Sequence, residues 1–274
     1  MSAQVTDKVA GINGLSIHYR DWGNADAPPL ILLHGVARVA HCFDHLAPHF
    51  AGRFHVIAVD MRGHGESGWH ADGAYLVEDY TSDIMALIEQ LKLRNITLWG
   101  ASTGGRVAQM VAGLHPDWVR AVIVEDVGAQ RPATISTRRG ERMAVEDEGW
   151  ANADDLLTHV KTAYPRTDEA ILRHLVTHGA KPRADGRMVW KRDPAILKGF
   201  IPTDLWTTVR AIKSPIIYIL GGVSATVPVE TQLMLQQALP QALVVMLAGL
   251  GHYPSDEKPE VFNAVVDAFL HGVR

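Results

Sequence analysis

Ile96-Thr97-Leu98-Trp99-Gly100-Ala101-Ser102-Thr103-Gly104-Gly105 changes character halfway along. Its first half is a short apolar run with a β-branched start, which predicts a buried strand. After Gly100-x-Ser102-x-Gly104 the chain continues Gly105-Arg106-Val107-Ala108-Gln109-Met110-Val111, which predicts a helix. A serine at a sharp turn between strand and helix is lifted above the sheet in a strained backbone. Only small neighbours fit where strand and helix approach each other. The turn also sets the amide of Thr103 at a helix N-terminus, where it can hydrogen-bond a developing oxyanion. Ser102 is therefore the candidate nucleophile.

On both sides of this stretch, strands and helices alternate. Residues 8–12 and 15–21 flank Asn13-Gly14, a two-residue hairpin signal. Apolar runs at 29–33, 54–60, 119–124, 215–220 and 242–247 predict further strands. Helices are predicted at 42–50, 80–91 (Ile84, Leu87, Ile88 and Leu91 at helical spacing), 230–239 and 259–270. The pattern predicts an α/β fold: a mostly parallel eight-stranded sheet flanked by helices on both faces. Residues 130–205 interrupt it with predicted helices at 153–163 and 169–178 and a high charge content that includes Arg131, Arg138, Arg139, Arg142 and Glu146. The expected organisation is a core of residues 1–129 and 206–274 with a helical cap, or lid, at 130–205.

The 274 residues, 47% hydrophobic and 20% charged, suffice for one large domain with an insertion. A formal net charge of −4 offers no basic footprint for nucleic acid. Cys42 stands alone, so no intramolecular disulfide and no thiolate zinc site is expected, and a reducing cytoplasm is the economical compartment. The first residues lack a basic segment followed by an apolar one, and no uncharged run reaches the length of a membrane span. The expected partner is a small molecule rather than nucleic acid or a membrane; a homodimer is compatible with this reading.

A serine nucleophile needs a base, and histidine is the usual one because its pKa lies near neutrality. Among 14 histidines, His252 is distinctive because it follows a predicted strand and a glycine near the C-terminus. At this point the chain resembles the α/β-hydrolases over nearly its whole length. The marks occur in order: His34-Gly35 after one strand, Asp60-x-Arg62-Gly63-x-Gly65-x-Ser67 after the next, the Gly-x-Ser-x-Gly elbow, and Gly251-His252 with Lys258-Pro259-Glu260 behind it. The resemblance implies Ser102 as nucleophile, His252 as base and His34 as the residue that holds the oxyanion loop. His64 is read as structural. His41, His45, His49, His55, His70 and the histidines of residues 130–205 carry no motif.

The acid departs from the common pattern. Most relatives carry it as the aspartate of a Gly-x-x-Asp-x-x-Val-Pro segment, whereas here Gly221 to Pro228 has Ser224 in that place. A hydroxyl cannot stabilise imidazolium as a carboxylate does. Some branches of the family place the acid after the strand that follows the elbow, which points to Asp126, with Glu125 second. Glu230 is read as a helix N-terminal charge. A Ser–His dyad, or an inactive site, is the alternative.

The resemblance also implies an oxyanion hole made of the amides of Thr103 and Val36. Arg38 is a candidate ligand for a substrate carboxylate or else a solvated loop arginine, and Arg106 carries the same ambiguity. Trp150, Tyr164, Trp190 and Trp206 are candidate walls of an acyl pocket, or else the small core that a helical cap needs. The expected activity is a cofactor-independent, metal-free serine hydrolase cleaving a small carboxylic ester. Dehalogenases and epoxide hydrolases use aspartate at the elbow and are disfavoured. The displaced acid is also similar to that of 2-(acetamidomethylene)succinate hydrolases, which keeps an amide, lactone or carbon–carbon bond of a carboxylated metabolite open. A ligand-binding pseudoenzyme on the same scaffold is the reading from a different class.

Overall fold

The computed structural model describes residues 5–199, 201 and 203–273. Among these, eight strands form one sheet: β1 (Thr6–Ile12), β2 (Leu15–Asp21), β3 (Pro29–Leu33), β4 (His55–Val59), β5 (Ile96–Ala101), β6 (Val119–Glu125), β7 (Ile216–Gly221) and β8 (Leu243–Leu247). Their spatial order is β1-β2-β4-β3-β5-β6-β7-β8. The hairpin β1–β2 and the β2–β4 pair are antiparallel, and every pair from β4 to β8 is parallel. The main helices are α1 (Val77–Gln90), α2 (Thr103–Leu114), α3 (Ala133–Glu146), α4 (Ala153–Ala163), α5 (Glu169–Gly179), α6 (Val229–Ala238) and α7 (Pro259–Gly272).

The central strands are apolar on both faces because both faces are covered. Alternate residues divide between two cores, as the two-residue period of a strand requires. Ile31, Leu33, Leu98, Val122, Val124 and Tyr218 pack with α1 and α2 residues such as Leu87, Val107 and Val111. Leu30, Leu32, Trp99, Ile123, Ile217 and Ile219 pack on the opposite side with Phe43, Phe50, Phe262 and Val266.

Three local features differ from the sequence reading. The helix predicted at 42–50 is a 3₁₀ turn, Ala40–Phe43, followed by a short helix, Ala47–Ala51. Pro48 has no amide to continue a ladder from the preceding turn. Helix α1 starts three residues before the predicted residue 80, where Asp79 Oδ2 accepts the Leu76 amide at 2.7 Å. Helix α3 and the ribbon of Ala180–Pro182 with Met188–Trp190 escaped the sequence reading. Helix α3 buries only Ser136, Met143 and Glu146, so it has no apolar stripe to detect.

Between β6 and β7 the chain leaves the sheet and returns through a two-stranded antiparallel ribbon, in which Thr203 pairs with Arg131 and Asp204 with Gln130. Arg106 ties this neck down from inside. Its guanidinium is fully buried and donates to the carbonyls of Gly128 and Ala129 and to Thr203 Oγ1. It is thus neither a solvated arginine nor a carboxylate ligand. Among the described residues no helix is long and apolar enough to cross a membrane.

Candidate active site

Ser102 sits between β5 and α2 at φ 51°, ψ −117°, a conformation that a residue with a side chain adopts only under constraint. The constraint comes from both sides: its amide donates to the Glu125 carbonyl at 2.9 Å, and the Gly104 amide donates to the His34 carbonyl at 3.1 Å. A Cβ at Gly104 would strike the backbone of Leu33, and one at Gly100 would strike the backbone of Gly104. The elbow glycines are therefore demanded by close approach of three backbones.

His252 Nε2 lies 3.1 Å from Ser102 Oγ, and His252 Nδ1 lies 2.6 Å from Asp126 Oδ2. An ionised carboxylate only accepts, so Nδ1 carries the proton and the Nε2 lone pair faces the serine hydroxyl. Burial pulls the pKa of His252 below its ordinary value, helped by Arg139 and Arg142 and opposed by Asp126. Burial thus favours the neutral imidazole, the state that can accept a proton.

Glu125 ends β6 and Asp126 follows it, and their carboxyl groups enter different surroundings. Asp126, at φ 46°, turns its carboxylate towards β7 and the His252 loop, where Oδ1 accepts the Gly221 amide at 3.0 Å. Ser224, in the place of the usual acid, donates its hydroxyl to Asp126 Oδ2 at 2.5 Å. Thr226 Oγ1 stands 3.2 Å from His252 Nδ1. The two loops that could carry an acid thus meet on one histidine. Glu125 is fully buried, accepting the Ser255 amide at 2.9 Å, and burial pushes its pKa up to about 8. Glu230 lies in the first turn of α6.

The Met61 amide donates to His34 Nε2 at 3.0 Å, so His34 Nδ1–H donates to the Gly35 carbonyl at 2.8 Å. This clamps the loop that carries Val36. The amides of Val36 and Thr103 have no hydrogen-bond acceptor among the described residues, and both residues line one cavity, with Tyr75, Tyr80 and Ile196 on its walls. The Asp60–Ser67 motif is scaffolding. Asp60 accepts from His18 Nδ1 and the Ala40 amide, and Arg62 makes two 2.6 Å bonds to Asp83.

The expected pocket residues divide. Arg38 is buried, paired with Asp256 at 2.7 Å and stacked over Tyr253, and among the described residues its Nη2 has no hydrogen-bond partner. With Tyr164, Trp190, Arg142, Glu146 and His159 it lines a cavity that reaches Val36. Trp150 packs behind Trp190 and against His159. Trp206 is a correction: it begins a short helix, Trp206–Val209, and fills the core beneath α2 with Val209 and Val111.

Arg139 was singled out by no motif. One turn of α3 brings it, with Ile135, to the wall of the cavity that holds Ser102 and Thr103, and it also borders the cleft that holds His252. Among the described residues it has no ion-pair partner. Only its place in the charge-rich stretch after residue 130 hinted at it.

The family model for the alpha/beta hydrolase fold matches residues 28–259. The chain is 27% identical over 277 residues to a 3-hydroxybutyrate-oligomer hydrolase of Cupriavidus necator, covering 93% of this chain and 88% of that protein. It is 27% identical over 255 residues to an esterase of Mycobacterium tuberculosis, covering 91% and 84%. The crystal structure of an E-2-(acetamidomethylene)succinate hydrolase superimposes with a TM-score of 0.90 at 24% identity, covering 98% and 100%, a likeness of fold.

Proposed function

The chain belongs to the α/β-hydrolase family, and we propose that it is a cofactor-independent serine hydrolase that cleaves a small carboxylic ester through an acyl-enzyme. One observation carries this reading: the unbroken hydrogen-bond line from Ser102 Oγ through His252 to Asp126. Ser102 attacks the ester carbonyl while His252 Nε2 takes its proton, and Asp126 stabilises the imidazolium that results. The amides of Val36 and Thr103 receive the negative charge of the tetrahedral intermediate. His252 then protonates the leaving alcohol, and water clears the acyl group by the same steps in reverse order. The relatives named as hydrolases support the reaction class.

The test is turnover of p-nitrophenyl esters of rising chain length by wild type and Ser102→Ala. A loss of roughly 10⁵-fold or more in kcat is expected, with the fold retained. Wild-type-like turnover in that variant would defeat the reading. Covalent labelling of Ser102 by a fluorophosphonate separates an enzyme from a ligand-binding pseudoenzyme, whose serine would not react.

A second reading is favoured by Arg139 together with Arg38, whose Nη2 has no hydrogen-bond partner among the described residues. Two guanidinium groups, Arg139 beside Ser102 and Arg38 in the separate cavity that reaches Val36, suit a carboxylated metabolite, with an amide, lactone or carbon–carbon bond as the scissile one.

A further inference from the structure

Away from Ser102, three imidazoles gather about one carboxylate. His174 and His178 are four residues apart on α5 and so share a face of that helix. His41 comes from the 3₁₀ turn Ala40–Phe43 in the hydrolase core, and Asp44 follows it. Asp44 Oδ2 accepts from His41 Nδ1 and from His174 Nε2, each at 2.8 Å. The His178 ring stacks on His41 with centroids 3.9 Å apart and lies 4.3 Å from His174. It makes no hydrogen bond among the described residues.

We propose that His41, His174 and His178, two of them oriented by Asp44, form a site for a divalent transition-metal ion of the zinc type, which clamps α5 to the hydrolase core. The potential ligand atoms of the three histidines already lie within 4.8 Å of one another. A tetrahedral site with Zn–N of about 2.1 Å needs them about 3.4 Å apart, which side-chain rotation on a half-exposed surface supplies. Three imidazoles are a ligand set for zinc, nickel or copper rather than for calcium or magnesium. A cleft bordered by Asp44, His45, Ile171 and His174 gives an ion access from solvent.

One cation already competes for this position. Arg20 donates Nη1 to His41 Nε2 at 2.8 Å, and its Nε lies 3.1 Å from Asp44 Oδ1. Asp7, 3.0 Å from the same Nη1, offers the guanidinium another partner when an ion takes its place. The consequence reaches the substrate cavity. Leu175 and Gly179, on the same helix, form part of the wall that faces Arg38 and Trp190, so an ion at the histidines holds that wall in position.

The experiment is isothermal titration of Zn²⁺ into the EDTA-treated, dialysed full chain, with thermal melts alongside. One saturable site per chain is expected, together with a Zn²⁺-dependent rise in Tm. Affinity should fall at least about tenfold in His174→Ala and in His178→Ala, and rise in Arg20→Met. His252→Ala should bind as wild type does. Absence of saturable binding, wild-type affinity in the His174→Ala/His178→Ala double variant, or loss of binding in His252→Ala would each overturn the proposal. Should the double variant fail to melt cooperatively in EDTA, His178→Gln, which removes a ring with no hydrogen bond, decides in the same way.

Discussion

Asp126 and Glu125 carry the same acidic group into opposite surroundings, and the difference comes from the direction in which each leaves the strand. Glu125 is the last residue of β6 and points into a dry core, where it keeps its proton at neutral pH. Asp126, in a left-handed conformation one residue later, presents an oxygen to His252. Asp126→Asn is therefore expected to preserve the fold and to lower kcat on the best ester by about 10³–10⁴-fold, because the amide cannot stabilise imidazolium. Ser224 touches the same carboxylate oxygen, so its own backbone stands within reach of the histidine. Adding Ser224→Asp to the Asp126→Asn variant should recover at least about tenfold of that loss in kcat/KM. A neutral Asp126→Asn, or a double variant no better than the single one, would show that the imidazolium is not supported from this side.

The helices of the segment between β6 and β7 differ in what keeps them folded. Helix α4 buries Leu156, Leu157 and Val160, and α5 buries Leu172, Leu175 and Val176, so both show helical apolar spacing and both are readable in the sequence. Helix α3 has no such stripe, and what it brings to the site is charge. Arg139 sits in the Ser102 cavity and Arg142 faces the neighbouring one, where its Nε is 3.0 Å from Glu146 Oε1. Removing the Arg139 guanidinium should act on anionic substrates alone. In Arg139→Ala, kcat/KM for a succinyl monoester should fall about 10-fold or more, and that for a butyryl ester of matched size should stay within about twofold. Equal losses on both esters would assign Arg139 to the packing of α3 instead.

The whole molecule is two cores sharing one sheet, and Glu125 shows what burial inside one of them costs. Its carboxyl is held by the Ser255 amide and approached by Trp99 Nε1 at 3.4 Å, with Asp256 nearby opposing ionisation. The folded pKa of about 8 exceeds that of a free glutamate, so between pH 4.5 and 8 the native state holds a proton that the unfolded chain has released. This group therefore lowers stability as the pH rises through that window, and the effect levels off above it. Glu125→Gln cannot ionise. Its stability relative to wild type, measured by urea unfolding, should rise from pH 5 to pH 9 by on the order of a few kcal/mol. A difference that is flat with pH would mean that Glu125 is ionised in the native protein.

The fold was legible in the sequence because its causes are local and repeat. Apolar runs bounded by turn residues mark the central strands, three- and four-residue spacing marks α1, α4 and α5, and glycines mark the one turn where strand, helix and loop backbones touch. Ser102 and His252 were legible for a related reason: each follows a strand at a turn whose small residues can be read directly. Only the family resemblance prefers Asp126 to Glu125, because spacing along the chain does not say which carboxylate faces His252. Asp126 and Glu125 are adjacent, and their separation into different surroundings depends on how β6 ends beside β7. Arg139, Trp206 and the histidines around Asp44 were hidden likewise. Their surroundings are assembled from segments far apart in the chain, and spacing along a chain carries no information about which distant segments a parallel sheet and its crossovers bring together.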